Sequence, residues 1–193
     1  MALVTVTYLQ QTDPSQLVPS SRPLPEDARI DWVQQITPEF SRFLYLGVGS
    51  ELHWADRLVL TRRQWLEQLR APGSETHVLY RHGAPQGYIE LAAVPGTAGT
   101  EVEIFYFGLF PQAIGQGLGG ALLTEGIRRA WTLDERHAGM APVSRVWLHT
   151  CSLDGQQALP NYQARGFTIY DVQEEQTEVR DPSKDLWPDA SRV

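Results

Sequence analysis

Gly115-Gln116-Gly117-Leu118-Gly119-Gly120 is the stretch of this 193-residue chain best suited to holding a ligand. Its glycines carry no side chains that would keep a ligand from the backbone N–H groups. Residues 102–110 before it are apolar, β-branched and aromatic except for Glu103 and Gly108, which reads as a strand buried on both faces. After it, Leu123, Ile127, Ala130 and Trp131 recur at i, i+4, i+7 and i+8, and Glu125 precedes Arg129 by one helical turn, which reads as a helix. A strand that feeds a glycine turn into a helix start presents unpaired N–H groups and the positive end of a helix dipole. Such an arrangement cradles phosphate.

Other residues could do acid–base chemistry. Glu103 is a lone carboxylate in an otherwise apolar strand, which makes it a candidate general base. His149, in the WLHTC segment, is an alternative base, and an ordered water is a third. Cys151 beside it invites a Cys/His nucleophile, but nothing else in the chain supports one. The five histidines show neither H-E-x-x-H nor His/Cys ligand spacing, so no metal is expected. No G-x-S-x-G or G-x-x-x-x-G-K-[ST] occurs.

The cradle has two readings. Gly115, Gly117 and Gly120 satisfy G-x-G-x-x-G, the dinucleotide fingerprint, which expects an acid on the next strand to hold a ribose. Glu135 has the spacing but lies in a polar connection, TLDERHAG, and only roughly 70 residues follow the turn, too few for a second βαβ half. The alternative accounts for more residues. Leu109-Phe110-Pro111, the glycine turn and Ala121-Leu122-Leu123 together resemble the acetyl-CoA loop of the GCN5-related N-acetyltransferases. That pattern is V-x-P, then [RQ]-x-x-G-x-[GA], then A-L-L. Ile114 stands where the family usually has Arg or Gln. A second block, VSRVWLHTCSLDGQQALPNYQARGF, resembles the family's strand followed by N-x-x-A-x-x-x-Y-x-x-x-G-F, with Ala158, Tyr162, Gly166 and Phe167 in place. The resemblance covers roughly residues 75–170.

The resemblance implies an α/β (α+β) fold: a curved, mixed, largely antiparallel sheet flanked by helices, with the Glu103 and His149 strands splayed apart. It implies an N-acetyltransferase that moves an acetyl group from acetyl-CoA to an amine by direct attack in a ternary complex, with a small molecule preferred as acceptor and a homodimer admitted. Leu109, Ile114, Gly115, Gln116, Gly117, Leu118, Gly119 and Gly120 would meet the coenzyme, and the N–H near Leu109 would stabilise the oxyanion. Tyr162 takes the place of the general acid that protonates the departing thiolate, and Glu103 that of the base. Asp154 either accepts a hydrogen bond from the pantetheine arm or caps the following helix. The rival readings are a CoA-binding regulator without catalysis and a dinucleotide-binding module.

The rest of the chain must position these groups. A length of 193 residues fits one domain, with a core at about 75–170, acceptor-side helices at about 37–70 and a polar tail at about 173–193. A net charge of −7 without a Lys/Arg cluster argues against nucleic acid, and no apolar run approaches the ~20 residues of a membrane helix. The start, MALVTVTYLQQ, lacks the features of a signal peptide, and a single cysteine fits a reducing cytoplasm.

In chain order, residues 4–9 read as a strand and 12–27 as a loop with nothing chemical in it. Thr37-Pro38 and Thr61 open helices, the first ended or loosened by Gly47 and Gly49. The aromatic-rich link between those helices crosses the acceptor mouth in the resembled fold, which makes Phe43, Tyr45, His53 and Trp54 candidate pocket walls, with His149 facing them. Residues 76–80 and 87–93 form a hairpin, and 143–150 and 167–172 are strands. Pro160 implies that the helix around Tyr162 starts late or kinks. Leu186 and Trp187 are the residues that could pin the tail.

Overall fold

The computed structural model describes residues 2–49 and 52–177. Among these residues seven strands form one sheet: β1 (Ala2–Gln11), β2 (Ala28–Trp32), β3 (Glu75–Arg81), β4 (Ala84–Pro95), β5 (Thr100–Leu109), β6 (Val143–Cys151) and β7 (Thr168–Thr177). The α-helices described flank it: α1 (Pro38–Gly49), α2 (Arg62–Leu69), α3 (Leu118–Trp131) and α4 (Ala158–Ala164). The strand order is β2-β3-β4-β5-β6-β1-β7, antiparallel except for the central β5–β6 pair. None of the described helices is long and apolar enough to cross a membrane.

Local sequence explains most of the boundaries. The Thr37 hydroxyl accepts from the Phe40 amide at the start of α1, and Pro38 occupies a first-turn position that needs no N–H donor. Helix α1 continues through Gly47 and ends at Gly49, the second of the two glycines expected to end or loosen it. Thr61 and Gln64 close a reciprocal capping box at α2. Helix α4 starts at Ala158, so Pro160 falls among first-turn positions whose N–H groups have no helical partner and is accommodated without a lost bond.

Two differences are larger. Strand β1 was expected, but its place was not: it lies between β6 and β7, pairing antiparallel with both. This pairing extends β7 to Thr177, into what reads as a tail. Leu186 and Trp187 lie outside the described residues. Residues 28–32, which follow the expected loop and were assigned no element from the sequence, form β2, the opposite edge of the sheet, by pairing with β3.

The two faces of the sheet carry separate cores. Val102, Ile104, Leu118, Leu122, Ile127 and Leu148 pack between the sheet and α3, and Leu44, Tyr45, Val48, Trp65, Tyr88 and Tyr106 pack under α1 and α2. A β-bulge makes this possible. Glu90 pairs with Tyr106 and Leu91 with Ile104, leaving Phe105 as the extra residue. Alternation is thereby reset, and Tyr106 returns to the face that Glu103 occupies.

The link from α3 to β6 is anchored by Glu75. Its buried carboxylate accepts from Arg136 Nε and Nη2 at 2.9 Å each, and lies 2.8 Å from His77 Nε2 and 3.1 Å from His137 Nε2. Burial pushes this carboxyl up, but hydrogen bonds from His77 and Arg136 outweigh that and bring it down to about 2. The folded value lies below the unfolded one of about 4.3. The contribution is therefore present above about pH 4 and is lost as pH falls toward 2. Glu75→Gln strips the part-buried Arg136 of its counter-charge and should cost about 3 kcal/mol. Thermal unfolding at pH 7 should shift down by roughly 6–12 °C, and the variant should lose the steep acid limb of the wild-type stability curve.

Candidate active site

The β5–β6 ladder runs only from Thr100↔Val143 to Glu103↔Trp147, although β5 continues to Leu109 and β6 to Cys151. Beyond Glu103 the two strands part, opening a gap at the centre of the sheet. Glu103 stands at the point of divergence. Its carboxylate lies 3.2 Å from Nδ1 of His149, with side chains 11% and 44% exposed respectively. The hydrogen bond to Glu103 lifts the imidazole above its ordinary 6.5; burial opposes the lift, and the charges of Glu103, Asp154 and Asp56 add to it. The two bases weighed separately from the sequence are thus one ion-paired couple. Glu101, at the start of the strand, is paired with Arg145 instead.

Tyr162, on α4, is 7% exposed. Its ring meets Phe107, in the diverged part of β5, at 6.0 Å, and Phe167 at 6.4 Å. Among the described residues its hydroxyl has no hydrogen-bond partner. Burial, followed by the charge of Asp154, holds the phenol above its ordinary range, so it stays protonated throughout neutral pH. Asp154 itself does not cap α4, whose N-cap is Gln157 without a side-chain bond. Instead it closes the turn after β6, accepting from Thr150 Oγ1 at 2.5 Å and the Cys151 amide at 3.1 Å. Burial and Asp154 also raise the Cys151 thiol, which keeps it a poor nucleophile.

The expected acceptor walls separate into distinct roles. Trp54 is half-buried, its ring 5.1 Å from Tyr106 and 5.5 Å from Tyr45. Tyr45 is 1% exposed, so it lies beneath the wall and is no part of its surface. Phe43 is half-exposed, stacked on Phe40 and tilted against Phe110. His53 is exposed, in left-handed backbone (φ 59°), without a hydrogen bond among the described residues. The sequence reading missed Asp56, which follows Trp54. Its carboxylate accepts from Tyr45 at 2.8 Å and from the Tyr106 hydroxyl. The next residue, Arg57, is buried and grips Glu90 in a two-pronged pair at 2.8 and 2.5 Å, which fixes the loop that carries Asp56. An acid within an aromatic-rich link was the available signal.

The glycine turn lies at the far end of β5. Gly115 and Gly117 have φ of 82° and 79°, a left-handed backbone that other residues adopt only at a cost. Gly117 is the N-cap of α3, and no side chain caps that helix, so its first amides have no side-chain acceptor. A β-carbon at Gly115 would meet nothing within 4 Å, whereas one at Gly119 would lie 3.5 Å from Leu109. Gln116 is turned aside, accepting from Arg81 and donating to the Gln112 carbonyl. Ile114 is 64% exposed.

Comparisons with known proteins give the family and the fold. The family model described as the Acetyltransferase (GNAT) family matches residues 33–167, so the chain belongs to that family. Among solved structures it is similar to a tandem GNAT protein from the clavulanic acid biosynthesis pathway (TM-score 0.60, 16% identity, covering 92% of this chain and 56% of that one). It is similar to a GCN5-related N-acetyltransferase from Kribbella flavida (TM-score 0.54, 16% identity, 86% and 54% covered). A third is an aminoglycoside acetyltransferase from an uncultured soil metagenomic sample (TM-score 0.52, 14% identity, 72% and 87% covered). The chain thus spans little more than half the length of the first two. At these identities the likeness is one of fold. No curated protein matches the chain.

Proposed function

We infer that the chain is an acetyl-CoA-dependent N-acetyltransferase acting on a small-molecule amine. The observation that carries this reading is the gap opened between β5 and β6 beyond Glu103, with an uncapped glycine turn at its far end and an unpartnered phenol beside it. GNAT proteins generally use acetyl-CoA, and the turn suits its phosphates. The first amides of α3 are free of side-chain caps, and the space a Cβ of Gly115 would take is open. When bound, acetyl-CoA would supply a thioester carbonyl open to attack by an amine. Residues 109 and 114–120 would hold it.

The chain's own groups divide the proton work. The Glu103–His149 couple would take the proton that an ammonium acceptor must lose before it can attack. Tyr162, kept protonated by burial, would hand its proton to the leaving sulfur. Trp54, packed against Tyr106, and Asp56, which accepts from the Tyr106 hydroxyl, would give the acceptor an aromatic wall and a carboxylate for its cationic nitrogen.

The direct test is thiol release from acetyl-CoA with a panel of amines, alongside calorimetry with CoA and NAD. Thiol release with at least one amine, and CoA binding not competed by NAD, is the expected result. Binding of CoA with no release from any amine would instead make the protein a CoA-dependent regulator.

The identity of the base is tested by sign. For wild type, kcat/KM should rise with pH through an acidic limb and level off. In Glu103→Gln, free amine must be drawn from solution, so the limb should move to higher pH and neutral activity should fall by about 10²-fold. Were His149 the base, loss of the partner that raises it would move the limb to lower pH. Superimposed profiles would remove both residues from the proton path. The midpoints belong to the couple, so the shift between variants is the readout.

A further inference from the structure

Residues 112–120 contain no cation, and Ile114 at the rim of the turn is exposed and apolar. Besides Arg81, which is paired with Asp27 and donates to Gln116, two guanidinium groups reach the turn from elsewhere. An ideal β-carbon on Gly117 would lie 3.1 Å from both Cδ and Nη1 of Arg22. One on Gly120 would lie 2.9 Å from Nη1 of Arg165 and 2.9 Å from Oγ of Ser20. Arg22 comes from the loop before β2 and Arg165 from the residue that ends α4.

Their placement is built. The Ser20 amide donates to Thr124 Oγ1 at 3.0 Å, and that hydroxyl donates to the Gly120 carbonyl at 2.7 Å, which ties the loop to the first turn of α3. The Arg165 carbonyl accepts from the Val18 amide at 3.2 Å and from Gln11 Nε2 at 2.8 Å, which ties the same loop to the end of α4.

Neither arginine has a carboxylate partner among the described residues, in a chain with 23 acidic side chains to 16 basic ones. Arg22 makes no side-chain hydrogen bond there, and Arg165 donates only Nε, to the Ala164 carbonyl at 3.0 Å. Two unpaired cations at the positive end of a helix oppose its dipole. The arrangement becomes favourable when an anion sits between them and the helix amides, since guanidinium groups bind phosphate oxygens through paired, charge-assisted bonds.

We propose that Arg22 and Arg165 clamp the diphosphate of a nucleotide coenzyme seated on the glycine turn, with Arg22 contributed by a loop outside the family-matched residues 33–167. This rests on the reading of the turn as the seat of acetyl-CoA. It adds that the turn alone is an incomplete site, and that the cation it lacks comes from the N-terminal loop.

Calorimetry with CoA, dephospho-CoA and pantetheine on the whole chain tests it. Arg22→Gln should weaken CoA and dephospho-CoA alike by about tenfold, the scale of one charge-assisted hydrogen bond. Pantetheine, which lacks the diphosphate, should bind both proteins equally. Arg22→Lys should recover part of the loss, and Arg165→Gln should weaken the same two ligands. Arg63→Gln, an exposed arginine on α2, controls for net charge and should change nothing. Unchanged affinity in Arg22→Gln, or an equal loss in Arg63→Gln, overturns the clamp while leaving the coenzyme reading intact. So does a loss confined to CoA, which would assign Arg22 to the ribose phosphate. A wild-type protein that binds neither CoA nor dephospho-CoA overturns both.

Discussion

Gly117→Glu should abolish CoA binding in calorimetry while circular dichroism remains native. The substitution places a carboxylate at the N-cap of α3, where the first amides point. At about 4 Å, with an effective dielectric of about 20, a carboxylate and one phosphate charge repel by roughly 4 kcal/mol. Screening at an open site reduces this, so a loss of about 10²-fold or more is expected. The site itself adds a complication. Gly117 has φ 79°, so a side chain there also costs about 1–2 kcal/mol of backbone strain. Gly119→Glu separates the two effects, because Gly119 lies in α3 with ordinary helical backbone and open contact distances. Both variants should lose CoA, and only Gly117→Glu should melt early. If Gly119→Glu folds and binds CoA as tightly as wild type, the phosphates do not lie on this turn.

Tyr162→Phe is expected to lower kcat by about 10²-fold or more, the scale of general acid catalysis, equivalent to about 3 kcal/mol of barrier. The KM for acetyl-CoA should hardly move. Stability supplies the discriminating readout. The residue is 7% exposed and its hydroxyl has no hydrogen-bond partner among the described residues, so the fold gains no hydrogen bond from it and its removal should leave the melting temperature nearly unchanged. A structural tyrosine would give the reverse pattern, with activity retained and stability lost. Because burial and Asp154 hold this phenol above its ordinary range, wild-type activity should show no alkaline loss from Tyr162 below about pH 10.

The sequence by itself determined the elements whose rules are local. Thr61-x-x-Gln64 caps α2, Pro38 begins α1, and Pro160 delays α4, because each depends on hydrogen bonds within one turn of the chain. The glycine turn and the helix after it were legible for the same reason. So was Glu103 as an acid that burial would make consequential, since a lone carboxylate stands out in an apolar strand.

Tertiary structure decided everything that depends on sheet order. Nothing local could place β1 between β6 and β7, because strand pairing is non-local and the alternating pattern of β1 suits any neighbour. That placement puts Tyr8 across from His149. The pairing of Glu103 with His149, whose positions are far apart in sequence, required the parallel β5–β6 register and the divergence that follows it. Asp56 became part of the site only because the Phe105 bulge turns Tyr106 onto its face. Arg22 lies in a loop that reads as bare of chemistry, and only the Ser20–Thr124 and Val18–Arg165 bonds bring that loop against α3 and the end of α4. The local rules yielded the turn. The fold supplied the charges around it, because Coulomb interactions act through space while sequence patterns report only along the chain.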